Sequence, residues 1–145
     1  MADMQKVDFH YNVANRLRYA CLVARTVLRR NLRLAVWSSD EERLKRLDAM
    51  LWNFDDLAFL PHVRPGHRLA PETPIWLSSR LGELEGDVLL LLDDALPPDW
   101  ETLFTRFPRI IDVVSTQQDE LQASRARFRA YKAAGVELAA YDRRH

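Results

Sequence analysis

A chain of 145 residues suits one domain, expected here to span 1–145 and to bury roughly two-thirds of its unfolded surface. Its 48% hydrophobic fraction belongs to an ordinary globular protein and argues against disorder. Lys and Arg total 21 and Asp and Glu total 21, a zero net charge that counts against a dedicated nucleic-acid binder and leaves room for a local basic patch.

Val7 to Val13 alternates apolar and polar residues, as a strand with one covered face does. From Asn15 to Asn31 the residues Leu17, Tyr19, Ala20, Val23, Val27 and Leu28 recur at helical spacing. Leu32 to Trp37 reads as a second strand. Ser39 with Glu42 three residues later forms a capping-box pattern that opens a helix through about Leu51. This β-α-β-α beginning predicts parallel pairing, because helical crossovers join parallel strands.

Pro61, Pro65, Gly66, Pro71 and Pro74 punctuate an expected loop before the short strand Ile75-Trp76-Leu77. Val88 to Leu92 is continuously apolar and ends in Asp93-Asp94, the pattern of a central strand covered on both faces. A short helix is expected from Trp100 to Phe107, then a β-branched strand from Arg109 to Val114. Ser115 and Gln118 give a second capping-box pattern for the long C-terminal helix, which Gly135 ends. Val136-Glu137-Leu138 reads as a last edge strand. The fold expected is α/β: a single three-layer Rossmann-like domain, its central sheet mostly parallel, with helices on both faces.

Such a fold invites a nucleotide hypothesis. The turn Asn12-Val13-Ala14-Asn15 after the first strand has no glycine, and no glycine-rich loop ends in Lys-Ser or Lys-Thr, so no phosphate-binding signature and no cofactor is read. His10, His62, His67 and His145 are scattered without metal-ligand spacing. Asp93-Asp94 stands where α/β sites collect, yet adjacent carboxylates in a strand point to opposite sides, and solvated loop acids are the simpler reading. Asp55-Asp56 reads as a loop. The lone Cys21 lies among apolar residues of a helix and reads as a small core side chain. Asp3, Lys6 and Asp8 interrupt any signal-like run, and no apolar stretch approaches the ~20 residues of a membrane span, so a cytoplasmic protein without membrane association is expected.

Two segments remain. From Ser115 to Ala134, Leu121, Ser124, Phe128 and Tyr131 form one stripe, with Arg125, Arg129 and Lys132 beside it and Arg127 on the other flank. Arg125 and Arg129, four apart, are placed to clamp a carboxylate over aromatic carbon. The competing account is structural: late cations complement the helix dipole, and Arg stems cover core aromatics. Around Leu47, Met50 and Leu51, the aromatics Trp52, Phe54 and Phe59 crowd a segment ending at Pro61-His62. Either a satellite core or a protein-binding face accounts for them.

The runs Leu47-Asp48-Ala49-Met50-Leu51-Trp52 to Phe59-Leu60-Pro61-His62, and Arg125-Ala126-Arg127-Phe128-Arg129-Ala130-Tyr131-Lys132-Ala133-Ala134-Gly135, resemble the chi subunit family of bacterial DNA polymerase III. That family is a clamp-loader accessory without chemistry of its own. The resemblance implies a pocket for the acidic C-terminal tail of single-stranded DNA-binding protein, formed by Val114, Arg125, Phe128 and Arg129 with Lys132 nearby. Leu121 stands where the family has a lysine, and Arg127 or Lys132 is offered as its replacement. The resemblance also implies a psi-subunit face at Trp52 and Phe59, closed by Pro61 and His62, with a helicase as a rival occupant. DNA contact would be indirect. Two other functions compete: a nucleotide-dependent enzyme with a degenerate phosphate site, and direct single-strand binding by the basic aromatic helix.

Overall fold

The computed structural model describes residues 5–54 and 60–143. Seven strands make one sheet: β1 (Lys6–Val13), β2 (Leu34–Trp37), β3 (His62–Val63), β4 (Ile75–Ser78), β5 (Val88–Leu91), β6 (Arg109–Ser115) and β7 (Glu137–Asp142). Their order is β3-β4-β2-β5-β6-β1-β7, and every pairing is parallel. The helices are α1 (Arg16–Arg29), α2 (Glu41–Asn53), α3 (Leu103–Arg106) and α4 (Gln118–Ala133). This is the three-layer α/β architecture expected from the sequence.

Period-two alternation sorts the strand side chains into two cores. Leu34, Val36, Val88 and Leu90 meet Ala20, Val23 and Val27 of α1 and Leu44, Leu47 and Leu51 of α2. On the other face Ala35, Trp37, Leu89 and Leu91 meet Leu103 of α3, Phe107 and Tyr131 of α4. All four residues of β5 are buried, so its unbroken apolar run is explained by a helix layer on each side. Burying a Leu or Val fully contributes about 1.5–3 kcal/mol each.

Both capping-box patterns are displaced. Asp40, not Ser39, caps α2, its carboxylate accepting from Glu42 N at 3.0 Å and Arg43 N at 3.3 Å. Gln117 precedes α4 without a side-chain cap, and the Ser115 hydroxyl instead accepts from Gln117 N at 3.1 Å and pairs with Glu120. Asn15 caps α1 through Leu17 N and Arg18 N. The short helix near Trp100 is a 3₁₀ turn (Trp100–Thr102) that runs into α3. Gly135 ends α4 with φ +78°, the left-handed conformation that a side chain disfavours. The elbow after α2 contains an unforeseen two-residue strand, β3, at one sheet edge, and β7 at the other edge is longer than its sequence pattern implied.

Candidate functional site

The sheet has its switch point between β2 and β5. The chain leaves β2 for α2 on one face and leaves β5 for α3 on the other, which opens the crevice where α/β ligands gather. Here the chain's own carboxylate occupies it. Asp93 Oδ1 accepts from Ser38 Oγ at 3.0 Å, Ser39 N at 3.1 Å, Ser39 Oγ at 2.9 Å and Arg43 Nη1 at 3.3 Å. Arg43 also donates to Leu92 O at 2.7 Å. Buried Arg16 pairs with Asp94 at 3.0 Å and with Glu120 at 2.9 Å. Asp93 is therefore a buried acceptor beside the start of α2, not a solvated loop acid, and only Asp94 keeps about half its side chain in solvent. An incoming phosphate would have to displace an anion already bonded.

A second carboxylate fixes α4. Asp112 is fully buried on β6 and accepts from Arg127 Nε at 3.0 Å, Arg127 Nη2 at 2.9 Å and Tyr131 Oη at 2.8 Å. Arg127 Nη1 adds a bond to Asp94 O at 2.8 Å. Burial alone would lower the Arg127 pKa, but the Asp112 charge outweighs it and leaves it raised. Burial, then the Asp112 charge and hydrogen bond, push the Tyr131 phenol well above its ordinary value. Arg127 is thus consumed by the core. It is therefore no replacement for the lysine that the sequence resemblance implied at Leu121, because reaching solvent would strand Asp112.

With Arg127 and Tyr131 turned inward, Arg125 and Arg129 are left on the outside. They flank a pocket of about 260 Å³ that is also lined by Phe9, Ser124 and Phe128. Both arginines are exposed and form no ion pair among the described residues. Phe128 stands edge-on to Phe9, with centroids 5.8 Å apart and planes at 81°, and Lys132 Nζ lies 5.5 Å from the Phe128 centroid. The arrangement offers cations above an aromatic floor, which suits a carboxylate attached to an apolar group. Val114 sits in the core on β6, outside this lining. Phe9 was not singled out in the sequence. Its place at mid-strand in β1 reads only as core until α4 is docked.

At the other end, Trp52 is 56% exposed and stands edge-on to His62, with centroids 5.0 Å apart. His62 is buried, with Nδ1 2.7 Å from Leu60 O and Nε2 2.6 Å from Asp48 Oδ1. It braces Trp52 from below. Pro61 is half-buried beside it. Phe54 packs onto the α1–α2 core beneath Arg18 and Arg25, so it belongs to a satellite core. Phe59 and Asp55-Asp56 lie outside the described residues.

Burial, then the charge of Arg143, pulls the His10 pKa down to about 4, with Asp8 opposing and Arg109 assisting. Burial pushes the Cys21 thiol up to about 11, which leaves it protonated and unreactive near neutrality. Among the described residues no group of three His, Cys, Asp or Glu side chains is placed to hold a metal ion. No helix is long and apolar enough to cross a membrane.

Comparison with known proteins agrees with the sequence resemblance. The family described as "DNA polymerase III chi subunit, HolC" matches residues 4–139. DNA polymerase III subunit chi of Pseudomonas aeruginosa is 30% identical over 142 residues, covering 93% of this chain and 94% of the relative. Subunit chi of Escherichia coli K12 is 29% identical over 121 residues, covering 81% and 79%. The match spans both arginine-bearing α4 and the Trp52 region, and on it the chain belongs to the DNA polymerase III chi subunit family.

Proposed function

We propose that this replication accessory subunit acts without chemistry of its own, as an adaptor in the clamp-loader assembly. One face, on α4, takes the acidic C-terminal tail of single-stranded DNA-binding protein. The other, around Trp52, joins the psi subunit. The observation that carries the reading is the pairing state of the α4 arginines. Arg127 is bonded internally at every nitrogen it can use, whereas Arg125 and Arg129 face an aromatic-floored pocket with no internal carboxylate.

In this reading the terminal carboxylate of the tail sits between Arg125 and Arg129, and its last apolar side chain rests on Phe128 and Phe9. Lys132, held near the Phe128 ring, adds positive potential for the acidic residues upstream. Charge steers the encounter and sets its salt dependence, while ordering a mobile tail keeps the affinity modest. Leu121, partly buried against the core, supplies carbon where the family has an ammonium group. Joining the two faces acts by tethering: coated DNA and the clamp loader are held at high effective concentration without a new catalytic step.

The test is a titration of a labelled acidic tail peptide, with and without its final residue, into the purified protein. Micromolar-range binding that needs the final residue and weakens with salt is expected. No binding at low salt removes tail capture from the reading. The rival nucleotide-enzyme reading has its phosphate position filled by Asp93, and a thermal-shift screen against nucleotides is expected to give no shift.

A further inference from the structure

Zero net charge conceals a marked asymmetry. Helix α1 carries Arg16, Arg18, Arg25 and Arg29 and no acidic residue, and Arg30 follows at its end. Arg16 is buried and paired with Asp94 and Glu120, whereas Arg18, Arg29 and Arg30 are exposed. The layer formed by α1 and α2 covers β2, β4, β5 and β6 and meets β1 at Val13 and through the Tyr19–His10 contact, which leaves the sheet face toward β7 as a shelf beside α1.

Two hollows of about 290 and 310 Å³ lie along that shelf and share Tyr19, Leu22 and Arg143, which makes them one groove. The Arg18 side chain lines one end with its guanidinium 5.6 Å from the Phe54 ring centroid, Arg143 lies in the middle, and Arg30 with Arg109 lies at the other end. Arg18 to Arg30 spans about 18 Å at helical rise, room for a few extended nucleotides. The acid near its floor, Asp8, is already held by Arg109 at 2.9 Å and by Lys6 at 4.0 Å. Arg30 makes no ion pair among the described residues, and Arg143, which hydrogen-bonds the Tyr19 side chain and lies 5.3 Å over the Tyr141 ring, keeps a buried Nε without a hydrogen-bond partner. Along the same shelf the rings of Tyr19, His10 and exposed Tyr141 form an edge-to-face row, with centroids 5.5 and 5.2 Å apart.

We infer that this groove is a second binding surface, distinct from the α4 pocket, and that it takes single-stranded nucleic acid. Three features favour a nucleic-acid strand over an acidic peptide. The cations are spaced along the groove rather than clustered at one carboxylate. They are all arginine, whose fork pairs with phosphate oxygens and stacks on bases. The free backbone edge of β7 lies outside the groove, so a peptide main chain finds no ladder there, whereas Tyr19 in the lining and exposed Tyr141 at the rim, with Arg143 over its ring, offer aromatic carbon to bases. The basic aromatic helix α4 is not part of this surface. The direct contact sits across the sheet from the pocket on α4, so one molecule can hold a strand and a tail together.

The experiment is fluorescence anisotropy with a labelled oligothymidylate of about twenty nucleotides, at about 50 mM salt and upward. The variants are Arg30→Ala, Arg143→Ala and, as the control on the other face, Arg125→Ala. Arg30 is exposed at the helix end, and Arg143 keeps its backbone bond to Tyr11 O in the variant, so both are expected to fold. Weak binding is expected, several-fold weaker for each groove variant, with the logarithmic salt slope reduced by about 0.7 per arginine removed. Arg125→Ala is expected to bind as the parent does. No binding at low salt overturns the inference. So does loss confined to Arg125→Ala, which moves the contact to α4, and so does a groove that takes a glutamate-rich peptide while the oligonucleotide fails to compete. Because the probe contains no tail peptide, none of these outcomes depends on tail capture.

Discussion

The switch-point crevice and the outer face of α4 are both built from arginine, and they differ in what the arginines have been given. At the crevice Arg16 and Arg43 face Asp93, Asp94 and Glu120, and every charge is answered within the chain. On α4, Arg125 and Arg129 face a pocket floored by Phe9 and Phe128. The first arrangement stiffens the fold and fills the crevice where α/β folds commonly bind ligands. The second leaves ionic capacity unspent at the surface. A side chain's partner therefore separates the two roles better than its identity does.

The comparison is broken most severely by unpairing a consumed arginine. Arg127→Ala leaves Asp112 charged and buried, and is expected to cost about 3–5 kcal/mol in urea unfolding. Replacing both partners with apolar residues of like volume is expected to recover much of that loss. His10 extends the contrast to charges that act without bonding. Its folded pKa of about 4, against an ordinary 6.5, means that the unfolded chain takes up the proton first. Its share of stability is complete above about pH 6.5 and is lost as pH falls toward 4, by up to roughly 3 kcal/mol, and His10→Phe is expected to flatten that slope in acid titrations of stability.

Asp93→Ala sharpens the comparison from the other side. Stranding Arg43 and the Ser38–Ser39 donors is expected to cost about 1–3 kcal/mol. The emptied crevice should then gain more thermal stability from added sulfate than the parent does. If sulfate raises both melting temperatures equally, Asp93 is not standing in for an anion. By contrast Arg125→Ala and Arg129→Ala should each change stability by less than about 0.5 kcal/mol. Each should weaken tail binding roughly tenfold, about 1.4 kcal/mol. Smallest in stability terms is Trp52→Ala, since the ring is mostly exposed. Pull-down of psi should fall while the urea midpoint stays within error.

The sequence made the layers legible because they rest on periodicity. Val88 to Leu91 announced a strand covered twice, and Gly135 marked the end of α4. Caps were less legible, since Ser39 and Asp40 are both competent N-caps and only the presence of Asp93 decides that Ser39 is engaged elsewhere. The site was half legible. Arg125, Phe128 and Arg129 could be grouped from spacing alone. That Arg127 points inward could not, because the residue that claims it is Asp112, on another element. Phe9 is a similar case: its contact with Phe128 crosses from β1 to α4, a pairing that no local pattern encodes.

The position of β1 has a consequence for synthesis. It lies between β6 and β7, and one of its side-chain bonds to β7, from Asn12 to Asp142, crosses 130 residues. A ribosome delivers β1 well before either of its neighbours, with β2 through β5 and α1 through α3 made in between. Until β6 emerges, the strand that carries buried Val7 and Phe9 has no partner in its own sheet. The nascent chain can assemble α1, β2 and α2 early, but the sheet closes only after β6 and β7 have emerged. That delay makes β1 the segment most in need of shelter during synthesis.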